Sequence, residues 1–315
     1  MSWVQEVDRR LVAPGSNHLL GCVRVGLAAV LALRIALGPY RALAGQPAAL
    51  FDPPWWMAAG VDRMPGTAVI VTVQVIAVIA AVACISGRAP RAGFVGAWLG
   101  LLLLAGWPGS LGKVLHNDVL LLLCAVPVLF APAFARPRAA GRSSWSGWPW
   151  RGALVVCSAV YFFTGVQKLR HSGLDWIVTD NMRWVLYAGA ASGRAPTTVF
   201  ARAIADQAWL ASLTAAWILG LELTAPLWLA IGRARLWFLA AVTVLHVGTW
   251  LTLGLDYWAW ILTVAVLVTP WDNVPFRSLS PGPGHVQSTR QRTGTSTPVG
   301  LVGGRRRIRL AGGRR

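Results

Sequence analysis

The chain has 315 residues, of which 56% are hydrophobic and 18 are tryptophan, and it carries a formal net charge of +18. Several apolar runs approach the ~20 residues that a helix needs to cross ~30 Å of hydrocarbon, which excludes a soluble domain and predicts an all-α, polytopic transmembrane bundle. No Walker-type phosphate loop, no Gly-x-Gly-x-x-Gly turn and no zinc-spaced Cys/His set occurs, so neither nucleotide nor metal is expected as a cofactor.

Residues 1–18 form an N-terminal segment in which Trp3, Val7 and Leu11 share one stripe apart from Gln5, Glu6, Asp8 and Arg9, as in a short interfacial helix. It lacks the apolar core and small-residue cleavage site of a signal peptide, so the first span is expected to remain in the mature protein. Residues 19–272 hold eight expected spans, at about 19–39, 67–87, 92–107, 115–131, 152–168, 209–231, 236–253 and 255–271, the third and the last being short. Basic residues crowd alternate loops: Arg9/Arg10, Arg88/Arg91, Arg136/Arg138/Arg142/Arg151, Arg233/Arg235 and the tail from Arg277. That alternation puts those loops and both termini in the cytoplasm of a multi-pass cell-membrane protein. Residues 273–315 are rich in Ser, Thr, Gly, Pro and Arg and read as a disordered basic cytoplasmic tail. Beside a bilayer, its partner is expected to be the anionic inner leaflet rather than nucleic acid. All four cysteines (Cys22, Cys84, Cys124, Cys157) fall in or at the ends of apolar runs, which argues against a disulfide framework.

The densest polar cluster follows the fifth span, in Tyr161-Phe-Phe-Thr-Gly-Val-Gln-Lys-Leu-Arg-His-Ser-Gly-Leu-Asp-Trp176. At helical spacing Tyr161, Thr164/Gly165, Lys168 and His171/Ser172 share a face, and the small residues leave a hollow beside the lysine. Only two of the 29 basic residues are lysines, Lys113 and Lys168, so arginine is this chain's default cation. Guanidinium cannot give up its proton, whereas an amine in a dry pocket can lose one and act as a base; the other reading of Lys168 is a snorkelling helix-end residue. A second cluster, Lys113-Val-Leu-His-Asn-Asp118, opens the fourth span. Asn117 or Asp118 could cap that helix, or His116 and Asn117 could face a polar ligand on the same side as Lys168. Within the spans, Arg34, Glu222 and His246 must face the interior or find partners, either as structural pairs or in proton handling and ligand contact. Pro226 frees the carbonyl of Glu222 and should bend that helix. Trp55, Trp56, Trp107, Trp176, Trp184, Trp250 and Trp258 fall near the expected interfaces, as an aromatic belt would.

Taken with Leu31-Ala-Leu-Arg-Ile-Ala-Leu-Gly, Leu115-His-Asn-Asp, Leu221-Glu-Leu-Thr-Ala-Pro and Leu245-His-Val-Gly, the lysine segment resembles the horizontally transferred transmembrane (HTTM) domain family, which is related to vitamin K-dependent gamma-carboxylase. The resemblance covers about residues 15–272. It implies that Lys168 is the base toward a reduced vitamin K or menaquinone, with His116 as its catalytic companion. By the same resemblance His116 and Asn117 would help hold the quinone oxygens; Tyr161, His171, Trp176 and His246 are expected as further contacts of the bound quinone, and Arg34 and Glu222 as structural intramembrane polar residues. Gln167 stands where the carboxylase has a second lysine, and the 169–208 loop is too short to fold as the carboxylase's large extramembrane domain. Two functions follow. One is a quinone-linked, carboxylase-like membrane enzyme of lyase or oxidoreductase type, acting on a lipid or secreted peptide. The other is a non-catalytic membrane partner in the export or maturation of a secreted peptide or factor. A small transporter is a third, resting on the Glu222 helix alone.

Overall fold

The computed structural model describes residues 11–53, 63–111 and 116–273. The expected interfacial stripe at Trp3 and Val7, the pair Trp55 and Trp56, Lys113, and the basic tail beyond residue 273 lie outside the described residues. Among the described residues the chain is helical apart from one two-residue ladder, β1 (Gly15–Ser16) against β2 (Arg142–Ser143). Five helices come first: α1 (Asn17–Leu37), α2 (Thr67–Ile85), α3 (Pro90–Gly109), α4 (Val119–Leu129) and α5 (Ser144–Ser172). Three short ones follow, α6 (Asp175–Val178), α7 (Asn181–Ala191) and α8 (Val199–Ala205). The last three are α9 (Ala208–Ala230), α10 (Arg235–Leu253) and α11 (Trp258–Val268). Helices are the dictated solution for such sequence, because in hydrocarbon each backbone N–H and C=O must find its partner within its own segment.

Among the described residues six helices are long and apolar enough to cross a membrane: α1, α2, α3, α5, α9, and α10 with the turn before it. The third segment, expected to be short, is a full 20-residue helix, because Pro90 sits in its first turn, where a missing N–H costs nothing, and the helix runs on through Pro108. The fourth and eighth segments are the short ones, with 11 helical residues each, or about 16 Å. Both nevertheless run the length of α1. Asp118, before α4, meets Arg34 near one end of α1, while the chain after α4 reaches the other end, where the backbone N–H of Arg138 donates to His18. Likewise Asp256, before α11, pairs with Arg34, and the carbonyl of Trp271, after it, lies 3.2 Å from the His18 ring. The stretch of α1 between His18 and Arg34 is about 24 Å long at ~1.5 Å per residue.

The ladder fixes the remaining parity. It holds the start of α5 beside the start of α1, and the Asn17 amide adds a bond to the Ala140 carbonyl. Ser16 and Ser143 cap the two helices by accepting from the backbone N–H groups of Leu19 and Ser146. α1 is the axis of the bundle, with Leu20, Val23, Leu27, Leu31 and Ile35 fully enclosed. Its one deeply buried cation near the ladder end, Arg24, donates to the carbonyls of Pro132 and Ala135. Small residues let α2 and α3 approach closely. A Cβ on Gly100 would come within 2.2 Å of the Ala77 methyl, and one on Gly93 within 2.4 Å of the Ala80 carbonyl. The outward face of α2 shows Ile76, Ile79 and Val82 uncovered, as in a helix whose solvent on that side is lipid. The long apolar helices and this uncovered face fit a membrane-embedded protein. All four cysteines are buried and free of disulfides. Trp107, expected in the aromatic belt, is instead a core residue at 6% exposure.

α5, with 29 residues, is about 43 Å long, more than a bilayer core needs. Its last turns reach the bundle end opposite the ladder, where α6, α7 and α8 form a small layer of their own. Met182, Leu186, Ala201 and Ala205 pack there against Ala211 and Ala215 of α9. The 169–208 loop is thus folded into short helices that wall the site described next.

Candidate functional site

At the α6–α8 end of the bundle lies a cavity of about 700 Å³, within the range of small-molecule sites. Its walls come from the C-terminal half of α5, from α9, α10 and the start of α11, and from the short-helix layer. Most of this lining is apolar. Four threonines on the walls, Thr164, Thr214, Thr249 and Thr252, donate their hydroxyls to carbonyls of their own helices and so present no free donor. Apart from His116, Gln167 and Tyr257 on the border, the remaining polar character is concentrated in two pairs and the Trp176 indole.

The first pair is Lys168 with Glu222: the ammonium of Lys168 on α5 bonds the Oε1 of Glu222 on α9. Gly165, one turn before the lysine, makes the approach possible, since a Cβ there would stand 3.1 Å from the Glu222 Cβ and from Leu223. Helical Cβ atoms lean toward the N-terminus, so Lys168 reaches back into the bundle instead of outward along α5 to water, which is the opposite of snorkelling. Trp176 of α6 covers the amine, with Nζ 5.5 Å from the ring centroid. The sequence leaves Glu222 open to pairing with an arginine or with backbone; its partner is the lysine 54 residues away. α9 runs through Pro226 without interruption.

The second pair is Tyr161 with His246, whose hydroxyl and Nε2 lie 3.0 Å apart; which atom donates follows from the imidazole tautomer. Aromatic packing holds both rings. Tyr161 meets Phe238 and Trp260 edge to face, with centroids 5.3 and 5.5 Å away, and His246 packs on Tyr257 and Trp260. Trp260 in turn donates to the carbonyls of His116 and Asn117, which ties the segment before α4 to the site.

The cavity collects Lys168, His116, Tyr161, Trp176, His246 and Glu222 from the sequence candidates. Three candidates lie elsewhere. His171 is exposed on the last turn of α5, about 60° around the helix from Lys168, and does not line the cavity. Asn117 donates its amide to the Asp256 carbonyl at 2.5 Å, and so acts as a tether between the segments before α4 and α11. Arg34 is locked in an ion cluster: its Nε bonds Asp118 at 2.5 Å and its Nη1 bonds Asp256 at 2.9 Å. The Tyr40 hydroxyl also donates to Asp118, at 3.4 Å. Burial and then the neighbouring Asp118 carboxylate push the Tyr40 phenol well above its usual value, which keeps it a donor. Asp118, read from sequence as a possible helix cap, makes no side-chain capping bond; at 3% exposure it is the buried counter-ion of Arg34. Asp256, Tyr257 and Trp260 went unread in the sequence. The signal was there in Leu255-Asp-Tyr-Trp258, an acid and aromatics opening a span on the same side as His116-Asn-Asp118.

Four buried side-chain polar atoms among the described residues have no hydrogen-bond partner: Arg24 Nε, Trp176 Nε1, Glu222 Oε2 and His246 Nδ1. Three of the four belong to residues lining the cavity. Such atoms are costly to leave bare, and they concentrate an unmet acceptor (Glu222), donor (Trp176) and imidazole nitrogen (His246) in the wall of an otherwise apolar cavity. No group of three or more His, Cys, Asp and Glu side chains that could hold a metal ion occurs among the described residues. Compared with protein-family models, with curated proteins and with solved structures, the chain matches none.

Proposed function

We propose that this chain is a multi-pass cell-membrane protein with a carboxylase-like membrane core, binding a reduced quinone of the vitamin K or menaquinone type in the cavity beside Lys168. The observation that carries the reading is the grouping of three unpartnered buried polar atoms around the Lys168–Glu222 pair in an otherwise apolar cavity. A quinol would supply a hydroxyl proton and reducing equivalents there. Its hydroxyl can donate to Glu222 Oε2 and accept from Trp176 Nε1, while its ring and tail take the apolar wall. Lys168 and Glu222 act as one proton-accepting unit: Glu222 Oε2 takes the quinol hydrogen bond, and passage of the ammonium proton to Glu222 leaves a neutral amine that receives the quinol proton. Tyr161, positioned by His246 and Trp260, holds a second oxygen. The dry walls exclude water from a strongly basic reaction. Lipid extraction of the purified protein tests this reading: about one quinone per chain is expected, and a protein free of quinone that also fails to take up added menaquinol would contradict it.

The topology belongs to the same proposal: eight crossings, with both termini in the cytoplasm and the Lys168 end outside. The runs of α4 and α11 from Arg34 to the ladder end of α1 support crossing by these two short helices, and the alternating arginine loops support the orientation. A cysteine placed at Ser172 should react with an impermeant thiol reagent in intact cells, and one at Ser144 should not. The reverse pattern would put the site in the cytoplasm.

A further inference from the structure

The cavity has two differently lined sides, and they face different solvents. At the α6–α8 end it is bordered by His116 and Gln167, both exposed polar residues. On its flank between α9 and α10 it is bordered by Trp217 and Val244, which line the cavity and are 40% and 63% exposed. The two helices run in opposite directions, and each of these residues stands nine positions, or about 14 Å, from the α6–α8 end of its helix. They therefore sit level with each other, well below the polar end. The surface around them is apolar, with Leu213 at 57% and Val247 at 41% exposure. At Gly248, which also lines the cavity, an added Cβ would meet nothing within 4 Å, so the space beside α10 is open.

We propose that the gap between α9 and α10, framed by Trp217, Val244 and Gly248, is a lateral portal through which the apolar chain of a membrane-dissolved ligand enters and stays in the bilayer. The ligand's polar head then reaches Lys168 and Glu222. This proposal rests on the cavity being the ligand site, and it adds that the ligand arrives from the lipid. The His116/Gln167 end is left for a second, water-soluble reactant. The chemistry favours this division: Trp217 and Val244 line the cavity at mid-helix depth beside Leu213 and Val247, which are exposed but outside its lining, and on an apolar flank the medium those neighbours meet is hydrocarbon. A wide polar entrance there would leave backbone and side-chain groups unsatisfied, and none is found among the residues named.

Thiol labelling in phosphatidylcholine/phosphatidylglycerol vesicles tests the portal without requiring any quinone. Thr249 lines the cavity, and the four native cysteines are buried and outside its lining, so Thr249→Cys reports on access. The membrane-dissolved probe is N-dodecylmaleimide and the aqueous probe is a charged methanethiosulfonate. Val244→Trp, at an exposed position with room for the ring, should slow N-dodecylmaleimide at least tenfold and leave the aqueous reagent unaffected. Gln167→Trp should do the opposite. Unchanged N-dodecylmaleimide labelling in Val244→Trp overturns the portal, as does a block of that reagent by Gln167→Trp, or a thiol that the alkyl reagent never reaches. Failure of menaquinol binding with portal-dependent labelling intact would instead remove the quinone reading and leave the route standing.

Discussion

Replacing Lys168 by methionine should destabilise the protein by about 3 kcal/mol, a loss read as a fall of several degrees in apparent melting temperature in detergent. The cause is the carboxylate left behind: Glu222 is 5% exposed, its Oε1 is satisfied by the ammonium and its Oε2 has no partner. Stranding a buried charge costs more than the pair itself contributes. The double substitution Lys168→Met/Glu222→Leu should therefore recover most of the lost stability while remaining without function. A helix-end lysine reaching for water predicts the contrary, with a near-neutral single variant and no coupling to Glu222. A double-mutant cycle that closes within about 0.5 kcal/mol would show the two residues to be independent.

The second large effect is expected at Arg34, at the end of α1 that both short helices meet. Arg34→Met leaves Asp118 at 3% exposure with only the Tyr40 hydroxyl, and should cost about 3–5 kcal/mol. Arg34→Lys should recover part of this and no more, since one ammonium cannot reproduce the separate Nε and Nη1 bonds to Asp118 and Asp256. Because Asp118 and Asp256 precede α4 and α11, the loss should appear first as protease sensitivity near residues 116–118 and 254–257. Full stability in Arg34→Met would remove the cluster from any role in holding these segments.

The eight apolar segments were legible because hydrocarbon admits few alternatives: each is a helix, with ends displaced by up to four residues except in α5, which begins eight residues before the expected 152. The face carrying Tyr161 and Lys168 was legible for the same reason, since helical period alone brings residues 161, 164 and 168 together. The inward placement of Glu222 and His246 followed from the cost of charge in lipid. What escaped was pairing across long separations. Nothing local distinguishes Asp118 as a helix cap from Asp118 as the counter-ion of Arg34, 84 positions earlier, and the two readings share one residue type at one helix start. His171 was placed with the site because it follows Lys168 by three positions. The helix ends one residue later at Ser172, and the 60° offset leaves its ring outside the cavity. Trp260 was invisible among 18 tryptophans, yet it is the ring that both Tyr161 and His246 pack against.

The central claim is that Lys168 and Glu222 receive a quinol proton, and menaquinol binding by the purified protein tests it most directly, with the wild type compared to Lys168→Arg and Glu222→Gln. The arginine variant keeps the positive charge and can still bond Glu222, so it should fold normally. Guanidinium cannot hand its proton to Glu222, so no neutral amine forms to receive the quinol proton, and any turnover or linked cellular phenotype should fall by at least about a hundredfold. Glu222→Gln should weaken menaquinol binding itself by about tenfold or more, because with its one oxygen held by Lys168 the amide turns an NH2 donor to where the quinol hydroxyl needs an acceptor. Menaquinol binding unchanged in Glu222→Gln, together with an intact phenotype in Lys168→Arg, would contradict the account.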